Sequence, residues 1–334
     1  MKRKGHMNNA MGFKNILVAT DFTHNAETVL QQALWIADHS NARITLIHVL
    51  PDLRKAIVSA SPTARYDLLF GQSEQFQEEM REEAQARMRF LIAKLHAEDR
   101  DITCRTLLGD PALAIIHAVQ QDKHDLVLVG TRKLTTWEQV FVGSTTKRLL
   151  RKCPAPVWTV KVEASTAPNS IMAATDFSET SLLAALLARQ IANQIGTQLH
   201  LVHIVDSKDL PDNVIERLAP NGILREEIAI VARSRMDDFV NLLGDATHSL
   251  QTHIGWGIPS EKISQMANSL RFDLLVLGTI GRGGIKGVLL GNTAERVIDT
   301  CNCNILAVKS AGFVSPVEPP FWPLYSNAKV KAEV

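Results

Sequence analysis

A block of eight residues occurs twice in this chain. Ile16–Thr23 reads ILVATDFT, and Ile171–Ser178 reads IMAATDFS 155 positions later. At the same offset Leu46-Ile47-His48-Val49 meets Leu201-Val202-His203-Ile204. Further along the offset becomes 148: Gly109-Asp110-Pro111 pairs with Gly257-Ile258-Pro259, Asp125–Gly130 with Asp273–Gly278, and Gly143–Lys161 with Gly291–Lys309. One length change of seven residues within the unit accounts for both offsets. A period near 150 residues is too long for a solenoid, whose units run to about 50. The chain is therefore two copies of one domain, 12–161 and 170–310, followed by a tail over 311–334.

Within each copy, short apolar runs bounded by turn residues read as buried parallel strands. They are Ile16–Ala19, Ile44–Val49, Cys104–Leu107, Leu126–Val129 and Val157–Val160, then Ile171–Ala174, Gln198–Ile204, Leu250–Ile254, Leu274–Leu277 and Ile305–Val308. Helical patterns lie between them, among them Ala26–Ala37 and Ser73–His96, the latter with Phe76, Met80, Leu91 and Leu95 on an apolar stripe. Asp110 before Pro111 reads as a helix cap, and Ser260 after Pro259 as its counterpart. The alternation makes each copy a doubly wound α/β domain with five strands. Val162–Asn169, rich in Ser, Thr, Ala and Pro, is the linker. The tail holds Phe321, Trp322 and Tyr325 among its prolines and is expected to lie against the body.

Composition narrows the function. Lys and Arg number 36 against 35 Asp and Glu, so there is no basic excess to displace counterions from nucleic acid or an acidic membrane. The longest apolar run, Leu182–Ala188, is far short of the ~20 residues a spanning helix needs. No apolar segment follows Lys2-Arg3-Lys4, and four cysteines make no disulfide framework. A cytoplasmic protein is the expectation.

In an open parallel sheet a ligand sits beyond the carboxyl ends of the strands, where strand order reverses. Two features fall at such ends: the acid after the first strand, Asp21 and Asp176, and the glycine after the fourth, Gly130 and Gly278. The second copy continues with Gly281 and, after nine residues, Gly291-Asn292-Thr293. Glycines there let the backbone approach an anion closely, and amides at a helix start bind it. The plain alternatives are a helix cap for each acid and tight turns for Gly130 and Gly143. His48 and His203 read as buried, hydrogen-bonded histidines. Cys301-Asn302-Cys303 has no second cysteine pair and reads as a small apolar position rather than a metal site. No phosphate-loop, zinc-hydrolase or nucleophile-elbow signature is present, so at most slow ATP hydrolysis is allowed for.

The motif Gly, two residues, Gly, nine residues, Gly, taken with the T-D-F start of both copies, resembles the universal stress protein family, in its tandem-domain form. The resemblance implies an adenine nucleotide alpha hydrolase-like sheet in the order 3-2-1-4-5, with the fifth strands of the two copies paired as an intramolecular pseudo-dimer. It also implies an adenine nucleotide, ATP with Mg²⁺, at Thr175, Asp176, Ile204, Gly278, Gly281, Gly291, Asn292 and Thr293. Asn292 departs from the family pattern of Ser or Thr. In the first copy, Asp21, Val49, Gly130, Gly143 and Ser144 are kept while Lys133 replaces the second glycine, which marks that site as degenerate. The family further implies a role in stress survival, including resistance to DNA damage. An apolar ligand such as a lipid, a scaffold with vestigial sites, and a further homodimer are the alternatives carried forward.

Overall fold

The computed structural model describes residues 12–60, 67–133, 140–162, 167–206, 223–244, 249–281 and 290–319. In the first unit β1 (Asn15–Ala19), β2 (Arg43–Leu50), β3 (Ile102–Leu108), β4 (Leu126–Gly130) and β7 (Val157–Val160) lie in the order β3-β2-β1-β4-β7. The second unit repeats it with β8 (Ile171–Ala174), β9 (Leu199–Asp206), β10 (Leu250–Gly257), β11 (Leu274–Gly278) and β12 (Asn304–Val308), as β10-β9-β8-β11-β12. Each is the expected 3-2-1-4-5 order. A hairpin not foreseen from sequence, β5 (Arg132–Lys133) with β6 (Val140–Phe141), follows β4.

The five sheet strands of each unit pair in parallel, as buried β-branched and leucine-rich runs require, and only the β5–β6 hairpin is antiparallel within a unit among the described residues. Alternate residues serve opposite faces. Ile16 and Val18 pack beneath one helix layer, and Leu17 beneath the other. The first layer holds α1 (Ala26–Ser40), α3 (Asp67–Lys94), α6 (Glu179–Ile195) and α7 (Ile223–Leu243); the second holds α4 (Pro111–Asp122), α5 (Ser144–Lys152), α8 (Pro259–Ser269) and α9 (Asn292–Thr300). A short α2 (Leu53–Ala60) packs on α3.

Several local expectations are met and others corrected. Asp110 caps α4, its carboxylate accepting from the amide of Leu113 at 3.0 Å. Ser260 does not cap α8: the cap position is Ile258, and Ser260 is buried at the second position of the helix. Phe76 is 55% exposed, because it lies about 120° around α3 from the buried Met88; the inner stripe runs instead through Ser73, Ala84, Met88 and Leu91. The tail does return to the body as far as it is described, with Gln120 donating to the carbonyl of Val317 at 2.8 Å. Phe321, Trp322 and Tyr325 lie outside the described residues, as does linker segment 163–166.

The two units join edge to edge. β12 pairs antiparallel with β7, placing Leu306 opposite Trp158 and merging both sheets into ten strands. Lys161 and Lys309, equivalent residues just past these strands, are both buried. Each ammonium crosses to the other unit: Lys161 donates to the carbonyl of Ile298 at the end of α9, and Lys309 to those of Leu150 and Arg151 at the end of α5. Cations there satisfy the orphan carbonyls and the negative pole of a helix C-terminus.

Candidate functional site

The T-D-F-[S/T] block builds a turn at the end of the first strand of each unit. In the second, Thr175 Oγ1 accepts from the amide of Phe177 at 2.9 Å, and Asp176 Oδ1 accepts from the amide and hydroxyl of Ser178 at 3.1 and 2.6 Å. The first copies it, with Thr20 taking the amide of Phe22 and Asp21 taking both donors of Thr23. Phe22 and Phe177 adopt φ of 57° and 62°, a left-handed conformation costly for a bulky residue. Each ring then packs on a histidine at the end of the second strand, with centroids 4.3 Å apart for Phe22–His48 and 4.2 Å for Phe177–His203. Those histidines donate from Nδ1 to the carbonyls of Thr20 and Thr175 at 2.8 and 2.9 Å, since a carbonyl can only accept. Both are hydrogen-bonded as expected from sequence, but they are half-buried rather than buried.

Neither acid is a helix cap. The cap of α6 is Ser178, which accepts from the amide of Ser181, and the cap position of α1 is Asn25. Asp176 instead presents its second oxygen to the loop after β11. A Cβ placed on Gly281 would lie 2.3 Å from Asp176 Oδ2, so any side chain there requires the carboxylate to turn away from the loop. Gly278 is equally constrained, with Thr180 Cγ2 at 2.9 Å from where its Cβ would stand. Gly291 closes the loop by donating to the carbonyl of Thr279 at 2.7 Å and stands as the cap residue of α9 without a side-chain cap bond. Asn292 and Thr293 are the first residues of α9, so their amides belong to a helix N-terminus. Ile204 sits at the strand-end of β9, beside the bare α-carbon of Gly255. Residues 282–289, between Gly281 and Gly291, lie outside the described residues.

In the first unit a cleft of about 190 Å³ opens at the corresponding strand ends. Asp21, Val49, Gly130, Gly143 and Ser144 all line it, so the topology does bring the five retained residues together. Lys133 enters the β5–β6 hairpin, and its side chain lies outside the described residues. Gly130 is explained by packing, its α-carbon lying against Asn25 and Val29. Gly143 has a φ of −62°, and among the described residues nothing lies within 4 Å of where a Cβ would stand.

Asn25 is the residue that sequence reasoning missed. It is 2% exposed and lines the cleft; its Nδ2 donates to the carbonyls of Thr131 and Val160 at 3.2 and 3.0 Å, while Oδ1 has no hydrogen-bond partner among the described residues. A buried acceptor left unmatched is costly and marks a place where a donor fits. The only sequence signal was its contrast with Thr180 at the equivalent position of the second unit.

The family model described as the universal stress protein family matches residues 12–161 and again 168–309. The chain belongs to that family. It is a tandem universal stress protein, similar along its length to universal stress protein E of Photorhabdus laumondii, with 28% identity over 322 residues, 92% of this chain and 98% of that one. Universal stress protein E of Escherichia coli K12 is likewise 28% identical, over 92% of this chain and 97% of its own. Among solved structures, a universal stress protein from Archaeoglobus fulgidus superimposes with a TM-score of 0.64 at 19% identity, covering 91% of this chain and 99% of that one. A putative universal stress protein from Pseudomonas aeruginosa UCBPP-PA14 gives 0.63 at 21% identity, covering 90% and 94%. These structural likenesses bear on the fold. No helix among the described residues is long and apolar enough to cross a membrane.

Proposed function

We propose that this universal stress protein is a cytoplasmic stress-response binding module that holds an adenine nucleotide in the crevice of its second unit. The observation that carries the reading is the close approach of Gly281 to Asp176 across the mouth of that crevice. A loop that brings a bare α-carbon against a carboxylate, next to an uncapped helix start at Gly291-Asn292-Thr293, supplies both halves of a nucleotide cradle. The acid is suited to ribose hydroxyls, and the amides of α9 to phosphates, with Mg²⁺ arriving on the ATP. The residues fit that group with one weakness: Asn292 offers an amide where family members carry a hydroxyl.

A second reading applies to the first unit. Its cleft, at about 190 Å³, is smaller than the ~300 Å³ at which pockets for whole small molecules begin. It suits a smaller anion bearing a donor, met by the start of α5 and by the vacant acceptor of Asn25.

Equilibrium dialysis of the full chain against ATP and Mg²⁺, with mass spectrometry of whatever denaturation releases from fresh protein, tests both. About one adenine nucleotide per chain is expected. Retention of an apolar molecule, or of no nucleotide at millimolar ATP, would remove the proposal.

A further inference from the structure

The pseudo-twofold axis between the units passes through the Trp158–Leu306 pair, and these two are equivalent positions of the repeat. Every contact near the axis can therefore be compared with its mirror image. Where the mirror residues are alike, as with Lys161 and Lys309, the contact would form equally well between two copies of either unit. At three places they differ, and each difference favours the same arrangement.

The first lies on the axis. Trp158 and Leu306 are both fully buried and face each other across the strand pair. Two first units joined this way would oppose Trp158 to itself and overfill the core, and two second units would leave a void between leucines. The second is a buried hydrogen bond, from Asn304 Nδ2 to Gln32 Oε1 at 3.2 Å, between side chains that are both fully buried. The mirror positions are Pro156 and Leu187, which offer no side-chain partner. A like pairing would leave Gln32, or Asn304, without this bond. The third lies at the rim, where Lys147 pairs with Asp299 at 2.9 Å and Arg151 with Glu295 at 2.5 Å. These are mirror-related: Lys147 corresponds to Glu295 and Arg151 to Asp299. On this helix face the first unit supplies only cations to the pairing and the second only anions, so like units would repel.

We infer that the interface is coded for unlike units: the fifth-strand face of the first unit accepts the second unit and rejects a copy of itself. Size, buried polarity and charge all discriminate against the symmetric alternatives. The consequence is a fixed composition. Each ten-stranded body contains one crevice of each kind, and a second copy of the chain cannot replace either partner with its like. This holds whatever the crevices bind.

The test uses the full chain with three sets of changes: Lys147→Glu with Arg151→Glu, Glu295→Lys with Asp299→Lys, and all four together. The first two sets make the rim uniformly acidic or basic, and amide exchange in 157–160 and 305–308 is expected to speed up about tenfold in each. The fourfold variant exchanges the signs and should return to near the wild-type rate. Additive loosening in the fourfold variant, or no change in either double variant, would overturn the ionic code. Trp158→Leu, Leu306→Trp and their combination test the axis separately. The exchanged pair should melt higher than either single variant, and a lower melting temperature would overturn the steric code.

Discussion

Lys161 at the end of the first unit donates its ammonium to the carbonyl of Ile298 in the second at 3.0 Å, in a place water does not reach. Its mirror residue, Lys309, does the same for the first unit. A charge so placed costs desolvation, which the helix carbonyls offset by accepting its protons. Each unit thereby completes a helix that belongs to the other, and that helix begins at the other unit's crevice. Removal of one lysine exposes the effect. Burial lowers the affinity of Lys309 for its proton to a pKa of about 8, against 10.5 for the free side chain. Above pH 8 the unfolded chain binds more protons at this residue than the folded one, so stability rises with pH. Between pH 8 and 9 the gain is about 1 kcal/mol. Burial lowers the proton affinity of Lys161 as well, so urea unfolding at both pH values should show a gain in wild type and a smaller one in Lys309→Met. Equal slopes in the two would remove Lys309 as the titrating group.

Gly281 offers the sharpest check on the second crevice. Any side chain there meets Asp176 Oδ2 at 2.3 Å, so either the carboxylate swings away or the loop lifts. Gly281→Lys copies the first unit, where Lys133 stands at this point. The variant should keep the wild-type circular dichroism and lose ATP binding by calorimetry. Unchanged affinity in a folded variant would discard the assigned cradle.

Asp110 joins a cap to an ion pair. Its carboxylate takes the amide of Leu113 and, at 2.5 Å, the guanidinium of Arg148. Partial burial pulls its proton affinity up, but Arg148 and the amides of Leu113 and Ala112 outweigh that and hold it below the usual 3.8. The stabilisation is therefore present above pH 3.8 and lost as the pH falls through the lower, folded value. Asp110→Ala should cost about 1 kcal/mol at pH 7. Denaturation curves for the two proteins should converge near pH 2; a difference that persists there would assign the cost to packing instead.

The fold was legible because its evidence is local and repeated. Apolar runs such as Leu126–Val129 and Leu274–Leu277 can only be buried strands, and the duplication at two offsets fixed the unit before any contact was known. Strand order followed from the family resemblance and agrees with the pairing of β1 to β4. What stayed hidden depends on residues far apart in the chain. Nothing near Asn25 shows that its amide will sit beneath Gly130, 105 residues later, or that Lys161 will reach a helix 137 residues away. Phe76 misled for a different reason, since a stripe drawn along 28 residues of α3 drifts around the helix by the time it reaches its far end. The T-D-F-[S/T] block illustrates the limit best: its spacing suggested a ligand, and its hydrogen bonds are largely those of a turn.

His200 and His253 supply a last test, at the sheet edge. Nδ1 of His200 and Nε2 of His253 face each other at 3.0 Å, and the ring centroids are 5.3 Å apart at an angle of 13°. That spacing is what two imidazoles give when they meet end to end in nearly one plane, so one proton is shared between them rather than the rings lying stacked. Burial lowers the proton affinity of both, and His253 lowers that of His200 further. The unfolded chain therefore takes up protons first, beginning near pH 6.5, and the pair's contribution to stability falls as the medium becomes more acidic through that value. His253→Phe keeps a flat ring beside His200 but removes the second nitrogen. Its melting temperature should fall less steeply than that of wild type as the pH drops through 6.5. Parallel curves would mean that His253 takes up its proton alike in the folded and unfolded chain, and acid sensitivity would then have to come from elsewhere in the fold.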